Sequence, residues 1–204
     1  MRHSQRLSLV LLATVGLPVA LALAAADAKL VATCDDCHGA NGVTGSQQIP
    51  TLAGVSAPVQ SDSLRAYRAR TRACPKYSER RGNKLHEGDM CSAARDLADA
   101  AIADLAAHYA QQAYVATRQD VDAAKSAAGR ALHDRHCEKC HSGGGRNAAE
   151  DAGILAGQPL GWLKFCLAAF KRGESAQPKK MKDALARLSE ADLEALAHYY
   201  AGGQ

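Results

Sequence analysis

One five-residue word, Cys-x-x-Cys-His, occurs twice in the chain: CDDCH at Cys34–His38 and CEKCH at Cys137–His141. It restricts the possible folds more than any other feature, because each copy commits three reactive side chains to one small volume. Thiols three positions apart share a face of a helical turn, and the imidazole follows at once. Four chemistries use a cysteine pair of this spacing: a zinc site, a redox dithiol, a structural disulfide and a covalent haem attachment.

The surroundings separate the four. A zinc ribbon brings together two such pairs about 15–20 residues apart, whereas these lie 103 positions apart and in separate repeats. A thioredoxin-like dithiol sits in a βαβ unit, and none is legible. A plain disulfide would leave the histidine without a role in both copies. A c-type haem uses all three residues: the thiols add across its vinyl groups, and the histidine ligates the iron. Two covalently bound haem c groups are therefore expected, attached through Cys34, Cys37, Cys137 and Cys140, with His38 and His141 as proximal ligands.

The repetition extends well beyond the word. The offset of 103 also carries TLAG (Thr51–Gly54) onto ILAG (Ile154–Gly157) and AYR (Ala66–Arg68) onto AFK (Ala169–Lys171). A second offset, of 91, carries Met90 onto Met181, Leu97 onto Leu188, Ile102 onto Leu193, Leu105 onto Leu196 and Tyr109–Ala110 onto Tyr200–Ala201. One fold occurs twice, and the first copy holds roughly a dozen extra residues within the polar, turn-forming stretch TRACPKYSERRGNKLHEGD. The expected domains are 29–112 and 125–204, joined by a linker at 113–124 that reads as extended.

Met1, Met90 and Met181 are the only methionines. Methionine ordinarily fills core gaps, but one per repeat, ahead of the last helix in both, marks Met90 and Met181 as the expected sixth ligands. A thioether is a soft neutral ligand that raises the iron potential. It also closes the coordination shell, so such a haem passes electrons rather than binding substrate. His86, four residues before Met90, and a thiolate of Cys91 are rival ligands. His108, His133, His136 and His198 read as helix-surface or structural residues. The Pro50 carbonyl is the expected acceptor for the ring N–H of His38, a bond that fixes imidazole orientation. Gly153 stands at the matching position, so the second loop is expected to be looser and the two potentials unequal.

The coarse structure reads as all-α. DAAKSAAGRALHDRHCEKCH and PLGWLKFCLAAFKRG carry apolar residues at helical spacing, with Leu160, Leu163, Leu167 and Phe170 on one face. LSEADLEALAHYYAGG opens on a capping-box-like Ser189/Asp192 pair and closes on glycines. In the first copy Ala98 replaces the capping serine. No hairpin or alternating strand pattern stands out. With aromatic residues at only 4%, helices this lean need a cofactor or staple to complete their cores.

Residues 1–28 read as an export signal: Arg2 and Arg6, the apolar stretch LSLVLLATVGLPVALAL, then small-residue cleavage sites in ALAAADA. Gly16 and Pro18 interrupt the run and argue against a membrane anchor, so no stable membrane insertion is expected after cleavage. Export implies the oxidising periplasm, where Cys74 and Cys91 could pair around the insertion; Cys166 reads as a buried thiol. The net charge of +4 drops close to neutral once the signal's arginines are removed, which argues against a nucleic-acid partner.

With CxxCH, LAG, a late methionine and AHYYA or its counterpart in both halves, the chain resembles diheme class I cytochromes c of the cytochrome c4 kind. It resembles still more the cytochrome subunit of flavocytochrome c sulfide dehydrogenase, through YAQQAYVATRQDVDAAKSAAGRALHDRHCEKCHSGGG, ILAGQ and KKMKDALARL. The resemblance implies two tandem class I cytochrome c domains, each wrapped around one covalent haem. It also implies a non-enzymatic electron-transfer subunit seated on an FAD-containing flavoprotein that oxidises sulfide. Electrons would leave to a small soluble cytochrome or an oxidase. A free diheme shuttle to a terminal oxidase is the alternative. An enzyme acting at an open or thiolate-ligated iron is a third reading.

Overall fold

The structure, a computed structural model, describes residues 26–203; nearly all of the expected export signal lies outside the described residues. Helix α1 (Ala28–His38) starts where the Asp27 carboxylate accepts from Lys29 N, and it runs through the whole first CxxCH word. It ends at Gly39, whose φ is +83°. A Cβ there would stand 2.0 Å from the Val43 carbonyl oxygen, so the turn away from the word requires glycine. Helix α2 (Ala57–Arg68) follows. After an antiparallel hairpin of β1 (Tyr77–Arg81) and β2 (Lys84–Gly88) come α3 (Met90–Ala94) and α4 (Asp99–Ala110).

The second half repeats the plan without the hairpin: α5 (Ala123–His136), the short α6 (Ser142–Gly145), α7 (Leu160–Lys171), α8 (Lys179–Ala186) and α9 (Glu190–Ala201). The Ser189/Asp192 capping box forms at the start of α9, and α4 begins at Ala98 with no side-chain cap. The duplication is visible in single hydrogen bonds. The Gly42 carbonyl accepts from Leu52 N and Ala53 N, and the Gly145 carbonyl accepts from Leu155 N and Ala156 N. Gly54 N donates to Tyr109 O at 2.9 Å, and Gly157 N to Tyr200 O at 2.7 Å.

Among the described residues the fold is all-α but for the hairpin, which the sequence pattern concealed. Its strands are almost wholly polar, so no apolar alternation announces them. The alternation shows instead in burial, with Tyr77, Glu79 and Arg81 turned inward between exposed Ser78 and Arg80. Gly82, at φ +58°, opens the two-residue turn. The hairpin fills the extra stretch of the first repeat. Cys74 and Cys91 form the expected disulfide, with Cα atoms 5.8 Å apart, and tie its base to α3.

Each domain closes around the last helix of its repeat. In the first, Ile102, Leu105, Ala106 and Tyr109 of α4 are buried with Ala53, Val55 and Ala94. In the second, Leu193, Leu196, Ala197 and Tyr200 of α9 pack with Leu163, Leu185 and Leu188. Burying each leucine contributes about 1.5–3 kcal/mol. Helix α5 crosses α9 closely at Gly129, where a Cβ would lie 2.1 Å from the Ala195 carbonyl.

The two domains are bonded to each other. Thr51 N donates to Gln158 Oε1 at 2.9 Å, and Gln158 Nε2 returns a bond to Thr51 O at 3.0 Å. Gly161 N donates to Gln47 O, and Ala176 N to Thr71 O. The Arg72 guanidinium stands 5.1 Å from the Tyr67 ring and 5.8 Å from that of Phe170, the two equivalent aromatics of the repeat. Among the described residues no helix is long and apolar enough to cross a membrane.

Candidate functional site

His38, the last residue of α1, is buried. Its Nδ1 lies 2.9 Å from the Pro50 carbonyl oxygen. A carbonyl has no proton to give, so Nδ1 carries the hydrogen and Nε2 keeps its lone pair free, the tautomer an iron ligand requires. Burial holds the imidazole pKa below its ordinary value and favours the neutral form. Cys34 and Cys37, one turn back on the same helix, are unpaired. Burial pushes both thiols up, so neither is the low-pKa thiolate of a redox dithiol. Two free thiols and a neutral imidazole with an available Nε2 fit covalent haem attachment.

Met90 is half-buried at the first position of α3, where the Asp89 carboxylate caps the helix through Ser92 N. Its neighbour Cys91 is held in the disulfide and has no thiolate to offer. His86 is buried on β2 with Nδ1 3.6 Å from an Asp36 carboxylate oxygen, so it faces the second acid of the first word.

The hairpin lies over that word. Arg81 donates from one nitrogen to the carbonyls of Asp36, at 2.6 Å, and Cys37, at 2.9 Å. These carbonyls end α1 and have no helical partner of their own, and the guanidinium sits at the negative end of the helix. Lys84 bonds the Asp36 carboxylate and, with the charges of His86 and Arg81, holds its pKa below the usual range. In the second word the residue matching Asp36 is Lys139. The hairpin thus brings through space the cation that CEKCH carries in its own sequence.

The second word is built differently. Helix α5 stops at His136, and the word continues as turns, with Cys140 N and His141 N both donating to Cys137 O at 3.0 Å. Cys137 and Met181 pack against the same apolar cluster of the second domain. Cys140 is exposed. Burial lowers the His141 pKa, but its Nδ1 is buried with no hydrogen-bond partner. Gly153, at the position matching Pro50, sits at φ +74°, a conformation proline cannot adopt.

A second layer escaped the sequence reading. Asp35, after the first cysteine, accepts from Asn41 N, Gly42 N and the Tyr109 hydroxyl, the last at 2.8 Å. Its equivalent Glu138 accepts from Gly143 N and Gly144 N but reaches Tyr200 through an intermediary. His133, fully buried, donates from Nε2 to Glu138, and its Nδ1 lies 2.9 Å from the Tyr200 hydroxyl. His133 is therefore structural, as expected, and its bond is the largest cause of the lowered Glu138 pKa. The signal was present in the acid after the first cysteine and the tyrosine of the last helix, in both copies.

Comparisons with known proteins agree with two tandem cytochrome c domains. Residues 24–112 match the Cytochrome c family, and residues 124–199 match the family described as cytochrome C oxidase, cbb3-type, subunit III. The chain is 29% identical to cytochrome c4 of Azotobacter vinelandii over 95% of each chain. It is 35% identical to cytochrome c-554(548) of Halomonas halodenitrificans over 44% of its own length and 95% of the relative's. The structure superposes on reduced recombinant cytochrome c4 from Pseudomonas stutzeri with a TM-score of 0.68 and 26% identity, over 88% of this chain and all of that one. It superposes on a thiosulfate dehydrogenase, TsdBA, from Marichromatium purpuratum with a TM-score of 0.65 and 29% identity, over 82% of this chain and 36% of that one.

Proposed function

The chain belongs to the class I cytochromes c, as a diheme member of the cytochrome c4 kind with two covalently attached haem c groups, and from that premise we propose that it is a periplasmic electron-transfer subunit. Its first haem is held by Cys34, Cys37, His38 and Met90, and its second by Cys137, Cys140, His141 and Met181. When bound, each haem would supply one reversible electron, and Met90 and Met181, as ligands together with His38 and His141, would keep the irons closed to substrate. His38 presents a neutral imidazole from a buried position and His141 from a half-buried one.

The observation that carries this reading is the direct bonding of the two domains. The Thr51–Gln158 pair and the Arg72 stack keep the two sites in one body, as a short electron relay needs. The donor we favour is an FAD-containing flavoprotein that oxidises sulfide, with a small soluble cytochrome or oxidase as acceptor. Likeness to part of a thiosulfate dehydrogenase supports a sulfur-oxidising donor. Likeness to cytochrome c4 along the whole chain supports the second reading, a free shuttle.

Purification of the native protein under mild conditions tests the choice. The expected result is co-elution with a flavin-bearing subunit and the far-red charge-transfer band of Met-ligated ferric haem at both sites. A chain that purifies alone, with no flavin in any pool that reduces it, overturns the subunit reading in favour of the shuttle.

A further inference from the structure

One peptide group lies between the first site and the second domain. The carbonyl of Pro50 accepts from His38 Nδ1–H at 2.9 Å. The N–H of the same peptide unit, that of Thr51, donates to Gln158 Oε1 at 2.9 Å, across the domain boundary. Gln158 is itself held firmly. Its side-chain Nε2 donates back to Thr51 O, and its backbone carbonyl accepts from Gln119 Nε2 at 2.8 Å. Thr51 and Gln158 are both almost completely buried, so water does not compete for these bonds.

We propose that Gln158 is a positioning residue through which the second domain sets the orientation and basicity of His38 in the first. A peptide unit that donates at its N–H becomes a better acceptor at its carbonyl, because hydrogen bonds in series polarise one another. A stronger bond to the ring N–H makes the imidazole a more electron-rich ligand. Gln158 therefore stabilises the oxidised state at the first site and holds its potential down.

The device works in one direction only. By the repeat, Val55 stands where Gln158 stands, and Ile154 where Thr51 stands. Val55 has no side-chain acceptor to offer, and His141 Nδ1 has no partner to be polarised. Domain two thus tunes domain one without being tuned in return.

The inference rests on His38 being the iron ligand of the first haem, and the test keeps the two apart. Gln158→Met removes both side-chain bonds at nearly constant volume. Gln158→Glu keeps an oxygen for Thr51 N–H and makes it a stronger acceptor when ionised. Potentiometric titration of the holoprotein resolves two steps, and the first-domain step is identified by its fall in Met90→His. The expected result is that Gln158→Met raises the first-domain step and leaves the second-domain step in place, although the substituted residue belongs to the second domain. In Gln158→Glu the first-domain step moves the other way, and further than its partner. The ring N–H resonance of His38 in the reduced protein shifts in parallel. A Gln158→Met protein in which neither step moves, or in which only the second-domain step moves, overturns the inference. A His38→Ala protein that keeps an unchanged haem spectrum at both sites would instead overturn the ligand assignment itself.

Discussion

His38 donates its Nδ1–H to the Pro50 carbonyl at 2.9 Å, whereas His141 keeps a buried Nδ1 with no partner. The cause is local. Proline fixes φ near −65° at the position whose carbonyl meets the ring, whereas Gly153 occupies φ +74°, a backbone that proline cannot reproduce. The expected consequence is a difference in ring-proton exchange. In the reduced, diamagnetic holoprotein the His38 Nδ1–H should give a sharp, slowly exchanging resonance, and the His141 ring proton should exchange faster. Equal exchange rates at the two sites would contradict the structure.

Two glycines with positive φ should respond unequally to alanine. A Cβ at Gly153 would meet only Val59 Cγ1, at 3.4 Å, so Gly153→Ala carries backbone strain alone, about 1 kcal/mol. A Cβ at Gly39 would stand 2.0 Å from the Val43 carbonyl oxygen, which is backbone and cannot step aside. Gly39→Ala should therefore cost about 4 kcal/mol or more. Urea denaturation of the two variants side by side measures the contrast.

Two of the hairpin's cations, Arg81 and Lys84, should contribute unequally as well. Lys84 and Asp36 form a solvent-exposed pair, which solvent screening leaves with little effect on stability. Arg81 satisfies two carbonyls at the end of α1 that otherwise have no partner, and a bond to a charged donor contributes about 1.5–3 kcal/mol. Arg81→Ala should lower the midpoint of denaturation clearly, and Lys84→Ala should scarcely move it. A larger effect at Lys84 would mean that surface charge, rather than the helix end, holds the hairpin in place.

Much of this was legible because the chemistry places its residues close together in sequence. Cys34, Cys37 and His38 share one helical turn, and Met90 and Met181 stand in register once the repeat is aligned. The Pro50 acceptor was legible for the same reason, since it lies within the same short loop. The hairpin was not, because its residues are charged and its ordering comes from the first word beneath it: Arg81 and Lys84 find partners only when α1 is already folded. The Thr51–Gln158 pair was illegible for a deeper reason. A buried amide selects its partner through the packing of two domains, and neither residue differs locally from an ordinary loop residue. The His133 relay lies between these cases. Its end groups repeat in sequence, but Leu30 stands at the matching place in the first copy, so alignment alone hid the intermediary.

Removing the Cys74–Cys91 bridge should loosen the ground under Met90. The bond closes a loop with a sequence separation of 17, and chain entropy assigns such a loop about 3 kcal/mol of stability. The paired Cys74→Ala and Cys91→Ala substitutions should lower the denaturation midpoint by a matching amount. Only one of the two haem sites should show a weakened far-red band, because the second domain has no counterpart of this bridge. Equal weakening at both sites would show that the bridge supports the whole molecule rather than the segment leading into α3.

The second domain has an acid-sensitive tie that joins three of its helices. Glu194 on α9 bonds Lys164 of α7 at 2.7 Å, Lys125 of α5 at 3.0 Å and His198 on its own helix. The Lys164 bond is the main reason its pKa is lowered from an ordinary 4.5 to about 2. A carboxyl with a depressed folded-state pKa stabilises the fold fully above its unfolded value, and that contribution disappears as pH falls through the folded value. Here the window runs from about 4.5 down to about 2. The site is partly open to solvent, so screening limits the contribution to about 1 kcal/mol. Glu194→Gln should therefore be less stable than the parent at pH 6, and the two curves should converge as pH approaches 2. A gap that stayed constant across that range would mean that Glu194 acts by packing rather than by charge.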